Sequence, residues 1–264
     1  MLNRLLLALI LLVASATHAL AGALDAAERG REIFLQADER ASGFGDLEVA
    51  LRMTLRTAGG SSSERELRIR QLEVPADGDR VMVVFDTPPS IRGTALLSHG
   101  HPRAPDDQWL FLPAIKRVKK IASRNRSGPF LGSEFSFEDL SAQEVEKFTY
   151  EFLREAPCRD TDCYVVARVP LDKFSGYARE VFWIDQEHLR TLKVEYFDRN
   201  SKPVKVLEAS DYRLYQDRFW KAHTMVMENL RTGKSTELHW QDFQFDQGLR
   251  ADRDFSESSL RRAR

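Results

Sequence analysis

Residues able to do chemistry are few in this chain, and their spacing suits little of it. His99 and His101 in SHGHP stand one residue apart, so in an extended segment both point the same way and could ligate a metal. No carboxylate stands beside them in sequence to complete such a site, and a solvated loop pair is the expectation. Asp106 and Asp107 in APDDQW have the composition of an acid/base pair. Adjacent carboxylates ahead of a strand are ordinary turn residues, however. His223 and His239 fall inside strand-like runs, where packing is the default role. The chain contains no G-x-S-x-G elbow, P-loop, H-E-x-x-H or G-x-G-x-x-G pattern. The expectation is therefore no catalytic residue, no cofactor and no metal. A lipid-acting enzyme would need a nucleophile and base assembled from distant segments.

One stretch stands apart. Trp109 to Leu140, WLFLPAIKRVKKIASRNRSGPFLGSEFSFEDL, begins with an apolar aromatic run and continues with Lys116, Arg117, Lys119, Lys120, Arg124 and Arg126. It ends in a glycine-punctuated loop carrying Phe130, Leu131, Phe135 and Phe137. Cations beside aromatics suit nucleic acid in general. The chain as a whole has 39 Lys plus Arg against 40 Asp plus Glu, a formal charge of −1, which gives no global attraction to polyanions. An apolar cavity with a basic rim for a phosphate or headgroup fits the same residues better.

The elements that must position these residues follow from periodicity. Leu24 to Ala41 (LDAAERGREIFLQADERA) places Ala27, Ile33, Phe34 and Ala37 at helical spacings between charges. From Leu47 the period becomes two, with Leu47, Val49, Leu51, Met53 and Leu55 alternating with mostly polar residues, as in a half-buried strand. GGSSS, PADGD and DTPPS then separate further strand-like runs. The theme returns in CYVVARV, YAREVFWID, LRTLKVEYFD, KVLEASDYRLY, FWKAHTMVMENL and STELHWQDFQF. About ten strands paired in sequence imply a sandwich, barrel or strongly curved sheet. A helical or irregular insertion is expected near Glu138 to Lys147. Ile115, Val118 and Ile121 recur every three residues, which fits neither a clean strand nor a long helix and predicts a break such as a bulge.

Residues 1–21, MLNRLLLALILLVASATHALA, show a positive start, an apolar run and small residues ending in Ala19-Leu20-Ala21. This is the pattern of a secretory signal peptide cleaved near Ala21. The apolar run, about ten residues long, is too short to span a bilayer. The expectation is one domain over residues 22–264, exported and not membrane-spanning. Cys158 and Cys163 are the only cysteines. Their even number, close spacing and exported setting suggest one disulfide pinning a hairpin turn rather than two free thiols.

The runs IRGTALL, DDQWLFLPAIKRVKKIA and GPFLGSEFSFEDL, followed by CYVVARVP, FWID, LKVEYFD and MENLRTGKSTEL, carry a resemblance. The chain resembles the periplasmic outer membrane lipoprotein-sorting proteins of the LolA-like superfamily over nearly its whole mature length. That resemblance implies a mainly β fold: a strongly curved antiparallel sheet forming an unclosed barrel, with helices over its mouth as a lid. It also implies a periplasmic carrier that shields the acyl chains of a lipoprotein or lipid on the way to the outer membrane. An inner-membrane transporter and an outer-membrane acceptor would be its partners, and nucleic acid would not. The cargo wall is expected from Trp109, Phe111, Phe130, Leu131, Phe135, Trp183 and Trp240. The basic rim is expected from Lys116, Arg117, Lys119, Lys120, Arg124 and Arg126, with Arg92 of the RGTALL motif. The alternative is an accessory module that docks on a membrane lipid exporter through the same basic stretch and carries no lipid.

Overall fold

In a computed structural model that describes residues 24–263 except 76 and 142, alternation builds nearly everything. The expected signal peptide lies outside the described residues. Thirteen strands form one antiparallel sheet: β1 (Asp46–Arg56), β2 (Ser62–Leu72), β3 (Arg80–Thr87), β4 (Ala95–His99), β5 (Asp107–Leu112), β6 (Arg117–Lys120), β7 (Phe148–Cys158), β8 (Thr161–Pro170), β9 (Arg179–Asp185), β10 (Thr191–Phe197), β11 (Pro203–Tyr215), β12 (Phe219–Asn229) and β13 (Ser235–Phe245). Their order is β6-β5-β4-β3-β2-β1-β13-β12-β11-β10-β9-β8-β7. Neighbours in sequence pair as hairpins, and β13 returns to pair with β1. The sheet ends at β6 and β7, two edges that do not pair with each other, so the barrel is unclosed.

Every strand but β6 presents one face inward to the main core, which contains Leu47, Val49, Leu51, Ile69, Val83, Leu96, Leu110, Val166, Ile184, Val194 and Leu238. The opposite face carries two smaller clusters. One joins Met82, Val84, Leu97 and Phe111 to Phe255, which caps the short helix α2 (Ala251–Asp254), and to Leu260 of the short helix α3 (Glu257–Arg262), the two strapped across the outer face. The other holds Val165, Ala167 and Val181 with Trp183 against it. Buried on both faces, these strands read as apolar runs rather than clean alternation.

More strands exist than the ten expected. β5 starts at Asp107, where the carboxylate pair is expected ahead of a strand, and β7 is the first arm of the hairpin that the disulfide pins, so the addition is the short, cationic β6. In place of the bulge expected around Ile115 there is a 3-10 turn over Pro113–Ile115, followed by Lys116 at φ 52°, which redirects the chain into β6. The Cys158–Cys163 disulfide spans the β7–β8 turn, with Cα atoms 5.8 Å apart.

Two non-sheet segments cover the inner face. The helix over 24–41, α1, forms as its spacing predicts. It lies against the β7 edge so closely that a Cβ on Gly30 would stand 2.8 Å from the Phe152 backbone nitrogen, a contact only glycine permits. Beside it, the Arg29 guanidinium sits 3.7 Å over the Phe152 ring and 2.7 Å from Glu155. The second segment is the long crossing from β6 to β7. It is irregular, with 3-10 turns at Glu138–Leu140 and Val145–Lys147. Its tip is pinned to β2, where Arg65 donates to the Leu131 carbonyl at 2.8 Å. It is also pinned to β12 and β13, through Asn229 to Glu134 at 2.6 Å and the Glu134 amide to Thr236 at 2.9 Å.

Candidate functional site: a lidded apolar cavity

Between the inner face of the sheet and these two covers lies a cavity of about 1100 Å³. Its wall comes from β1 to β3 and β7 to β13, with Val49 of β1, Val83 of β3, Phe182 of β9, Val194 of β10, Leu207 of β11 and Met225 of β12 as examples. Phe34 and Ala37 of α1 and Phe135 and Leu140 of the crossing close it. Inward-facing residues of successive antiparallel strands stack in rows, so one row, Ala209–Met225–Leu238, runs across three strands as register partners. The volume lies at the upper end of the range for small-ligand pockets.

The cavity is not uniformly apolar. Arg168 and Glu180 are register partners on β8 and β9, and their side chains, 6% and 5% exposed, form an ion pair. The Arg168 guanidinium also reaches Gln143 of the crossing at 2.5 Å. It lies 3.8 Å over Phe148, 4.4 Å over Phe182 and 5.6 Å from Phe34 of α1. One side chain thus ties the sheet to both covers. Burial pushes the Glu180 carboxyl upward, and Arg168 opposes that rise.

Around the helix side of the opening, Asp38, Asp79 and Glu144 are all raised, first by burial and then by their acidic neighbours. Lys221 faces them with its ammonium 4.5 Å over Phe44. Burial brings its pKa down to about 8, against the upward pull of Glu73 and Asp79.

Glu138 of the crossing is raised to about 7, chiefly by burial, with repulsion from Asp139 and Glu180 adding to it. Its carboxylate accepts from the Gly176 amide at 2.9 Å and is hydrogen-bonded to Ser175. A raised carboxyl favours the folded state fully below its unfolded value of 4.5 and loses that contribution as pH rises through about 7. Stability measured by urea unfolding should therefore fall by on the order of 2 kcal/mol between about pH 5 and about pH 8. Glu138→Gln, neutral throughout, should remove that part of the slope; an unchanged slope would place the titration elsewhere.

The structure brings together only some of the residues singled out from the sequence. Phe135 and Trp240 line the cavity. Phe130 is 1% exposed and packs on Phe85 and Phe137, inside the seam between the crossing and the sheet. Leu131 flanks it at φ 48°. Trp109 and Phe111 face outward, into the cluster under α2 and α3. Leu110 between them belongs to the inner core, so the period of two puts the tryptophan on the wrong side for a cargo wall. Trp183 is outward too, with the Lys193 ammonium 4.5 Å over its ring.

The cations also separate. Lys116, Arg117, Lys119, Lys120 and Arg124 are exposed, whereas Arg126 is buried, with Asp172 at 2.8 Å. Arg92 is exposed and donates to the Asp86 carbonyl at 2.9 Å, off the cavity wall. The histidine pair is not a solvated loop. His99 Nε2 lies 2.7 Å from the Phe255 carbonyl and its ring meets Trp109 edge-on, while His101 Nε2 lies 3.3 Å from Asp107. Among the described residues no group of three or more His, Cys, Asp or Glu is placed to hold a metal ion.

His223 does pack, in an unusual place. The β12–β13 ladder stops at Thr224 and His239, while β12 continues along β11 and β13 along β1. The resulting split is filled by Tyr215, His223, Trp240 and Phe243, with His223 Nε2 2.8 Å from the Tyr215 hydroxyl.

The open antiparallel barrel, covered on its inner face and enclosing a largely apolar cavity, is a fold shared with a LolA superfamily protein. A family model described as "Uncharacterized protein" matches residues 77–262. A solved outer membrane lipoprotein-sorting protein domain from Vibrio parahaemolyticus is 46% identical, with a TM-score of 0.87 over 89% of this chain and 99% of that one. A DUF1329 family protein from Desulfovibrio piger is 26% identical, with a TM-score of 0.84 over 89% and 99% of the two chains. A LolA superfamily protein from Nitrosomonas europaea, 19% identical over 87% and 98% at a TM-score of 0.70, shares the fold. No curated protein matches the chain. The chain belongs to the outer membrane lipoprotein-sorting protein family.

Proposed function

We propose that the protein is an exported, non-enzymatic carrier that holds the acyl chains of a lipoprotein or lipid in its cavity while it crosses the periplasm. The observation that carries this reading is the cavity of about 1100 Å³, walled by apolar side chains of the sheet and closed by α1 and the crossing. An open sheet with an apolar inner face must cover it with its own chain or with a ligand. Here its own chain covers it only in part. At about 25 cal/mol per Å², two acyl chains burying several hundred Å² would gain on the order of 10 kcal/mol before the costs of association. Release then requires a better acceptor or movement of a cover. Among the described residues no helix is long and apolar enough to cross a membrane, which fits a carrier released after export, its domain spanning residues 22–264.

Native mass spectrometry of the mature protein, purified from the periplasm without detergent, tests this. A stoichiometric lipid or acylated peptide is expected. A mass that stays free of lipid after mixing with bacterial lipids and acylated proteins would sink the carrier reading.

A further inference from the structure

Most large apolar side chains of the molecule are buried, but Leu171 and Phe174, in the turn between β8 and β9, are 61% and 42% exposed while also lining the cavity. Residues that do both stand at its rim. The turn that displays them is held firmly. Asp172 accepts from the Phe174 amide at 2.9 Å and, through its carbonyl, from the Ser175 amide at 3.0 Å. Arg126, buried in the crossing, clamps the Asp172 carboxylate at 2.8 Å. Arg199 donates to the Lys173 carbonyl and, at 3.3 Å, to that of Ser175. Behind the turn, a Cβ on Gly176 would meet Ser127 at 2.9 Å, so the loop is seated directly on the crossing.

The charge around this rigid tip is lopsided. Lys173, with its ammonium 5.0 Å from the Phe174 ring, and Arg199, which reaches the turn's carbonyls, are exposed. Of the nearby carboxylates, Asp172 is held by Arg126, Asp198 by Arg231, and Glu138 by the Gly176 amide.

We infer that this turn docks the cavity onto an anionic bilayer surface, with Leu171 and Phe174 entering the leaflet and Lys173 and Arg199 meeting headgroup phosphates. Two apolar side chains are far too little for a stable protein interface, which needs about 800 Å² per partner. They suit interfacial insertion, where a few apolar residues combine with attraction to anionic lipid. Their place on the cavity rim adds a reason: an acyl chain passing between leaflet and cavity over Leu171 and Phe174 stays out of water. The inference rests on the carrier reading for its purpose but not for its test.

That test is co-sedimentation with sucrose-loaded vesicles of phosphatidylcholine, alone or mixed equally with phosphatidylglycerol. The wild type should bind the mixed vesicles, less so as salt rises. Leu171→Ser with Phe174→Ser should weaken binding at least about tenfold, and Lys173→Glu severalfold. Lys173→Glu, which lies off the cavity wall, should still retain lipid loaded from detergent. Phe174→Trp supplies a second readout, extra fluorescence over the wild type that brominated phosphatidylcholine in the mixed vesicles quenches. Absence of vesicle binding by the wild type, unaltered binding by the double variant, or extra fluorescence from Phe174→Trp that goes unquenched overturns the docking surface. Vesicle binding that depends on Leu171 and Phe174 in a wild type unable to retain lipid upholds the docking and removes the carrier reading.

Discussion

Glu180→Ala will lower the unfolding free energy by about 3–5 kcal/mol, among the largest single-residue effects expected here. The reason lies in what it leaves behind. Arg168 is 6% exposed at its side chain and surrounded by Phe34, Phe148 and Phe182. Without its partner the guanidinium keeps only Gln143 and the faces of three rings, so most of its desolvation goes uncompensated. Replacing both members by apolar residues of similar size, Arg168→Met with Glu180→Leu, should restore most of that loss, because buried pairs often only break even against well-packed apolar groups. Urea midpoints of Arg168→Met, Glu180→Leu and the double variant give the coupling directly. A Glu180→Ala cost below about 1 kcal/mol would mean that water already reaches Arg168 through the cavity. The same variants report on the covers. Arg168 touches both α1 and the crossing, so Glu180→Ala should speed hydrogen exchange over 24–41 more than at the far edge strand β6.

That pair also shows where reading the sequence stops. Arg168 sits in CYVVARV, two residues after Val166 and therefore in phase with the inner face, and Glu180 begins the apolar run EVFWID. A charge in phase with a buried stripe was the available signal for a functional or organising residue. It was outweighed by the far louder cationic stretch at Lys116 to Arg126, most of which is an exposed edge strand and turn. The helix over 24–41 and the strand from Leu47 were legible because their periods of 3.6 and two run long enough to be unambiguous. The disulfide was legible because only two cysteines exist. The cavity wall was not, since strands buried on both faces lose the alternation that tells inside from outside. Trp109 and Leu110 are equally apolar neighbours, and only the packing of α2 and α3 on the outer face decides that the tryptophan points away. The closing of the inner face by an irregular crossing depends on distant partners such as Arg65 and Asn229, which no local pattern announces.

The face of each strand sets the second large effect, on cargo rather than stability. Met225→Asp should reduce lipid retention at least about a hundredfold, read as lipid per protein after gel filtration without detergent. Met225 lies on the inner face of β12 between Ala209 and Leu238, all three on the cavity wall, and it is only half-buried. In the empty protein a carboxylate there stays hydrated, so the fold should lose little. With acyl chains in place that carboxylate must shed its water beside hydrocarbon, and the penalty of several kcal/mol falls on the loaded state alone. Met225→Leu keeps the apolar surface and should retain lipid as the wild type does.

Trp109→Asp provides the opposite pattern. Its ring packs on His99 at 5.0 Å and under Lys120 at 5.4 Å, against the strap formed by α2 and α3. The change should cost stability and leave retention intact. Were Trp109→Asp to empty the protein while Met225→Asp stayed loaded, the cargo would lie on the outer face beneath the strap, and the assignment of the cavity would be reversed.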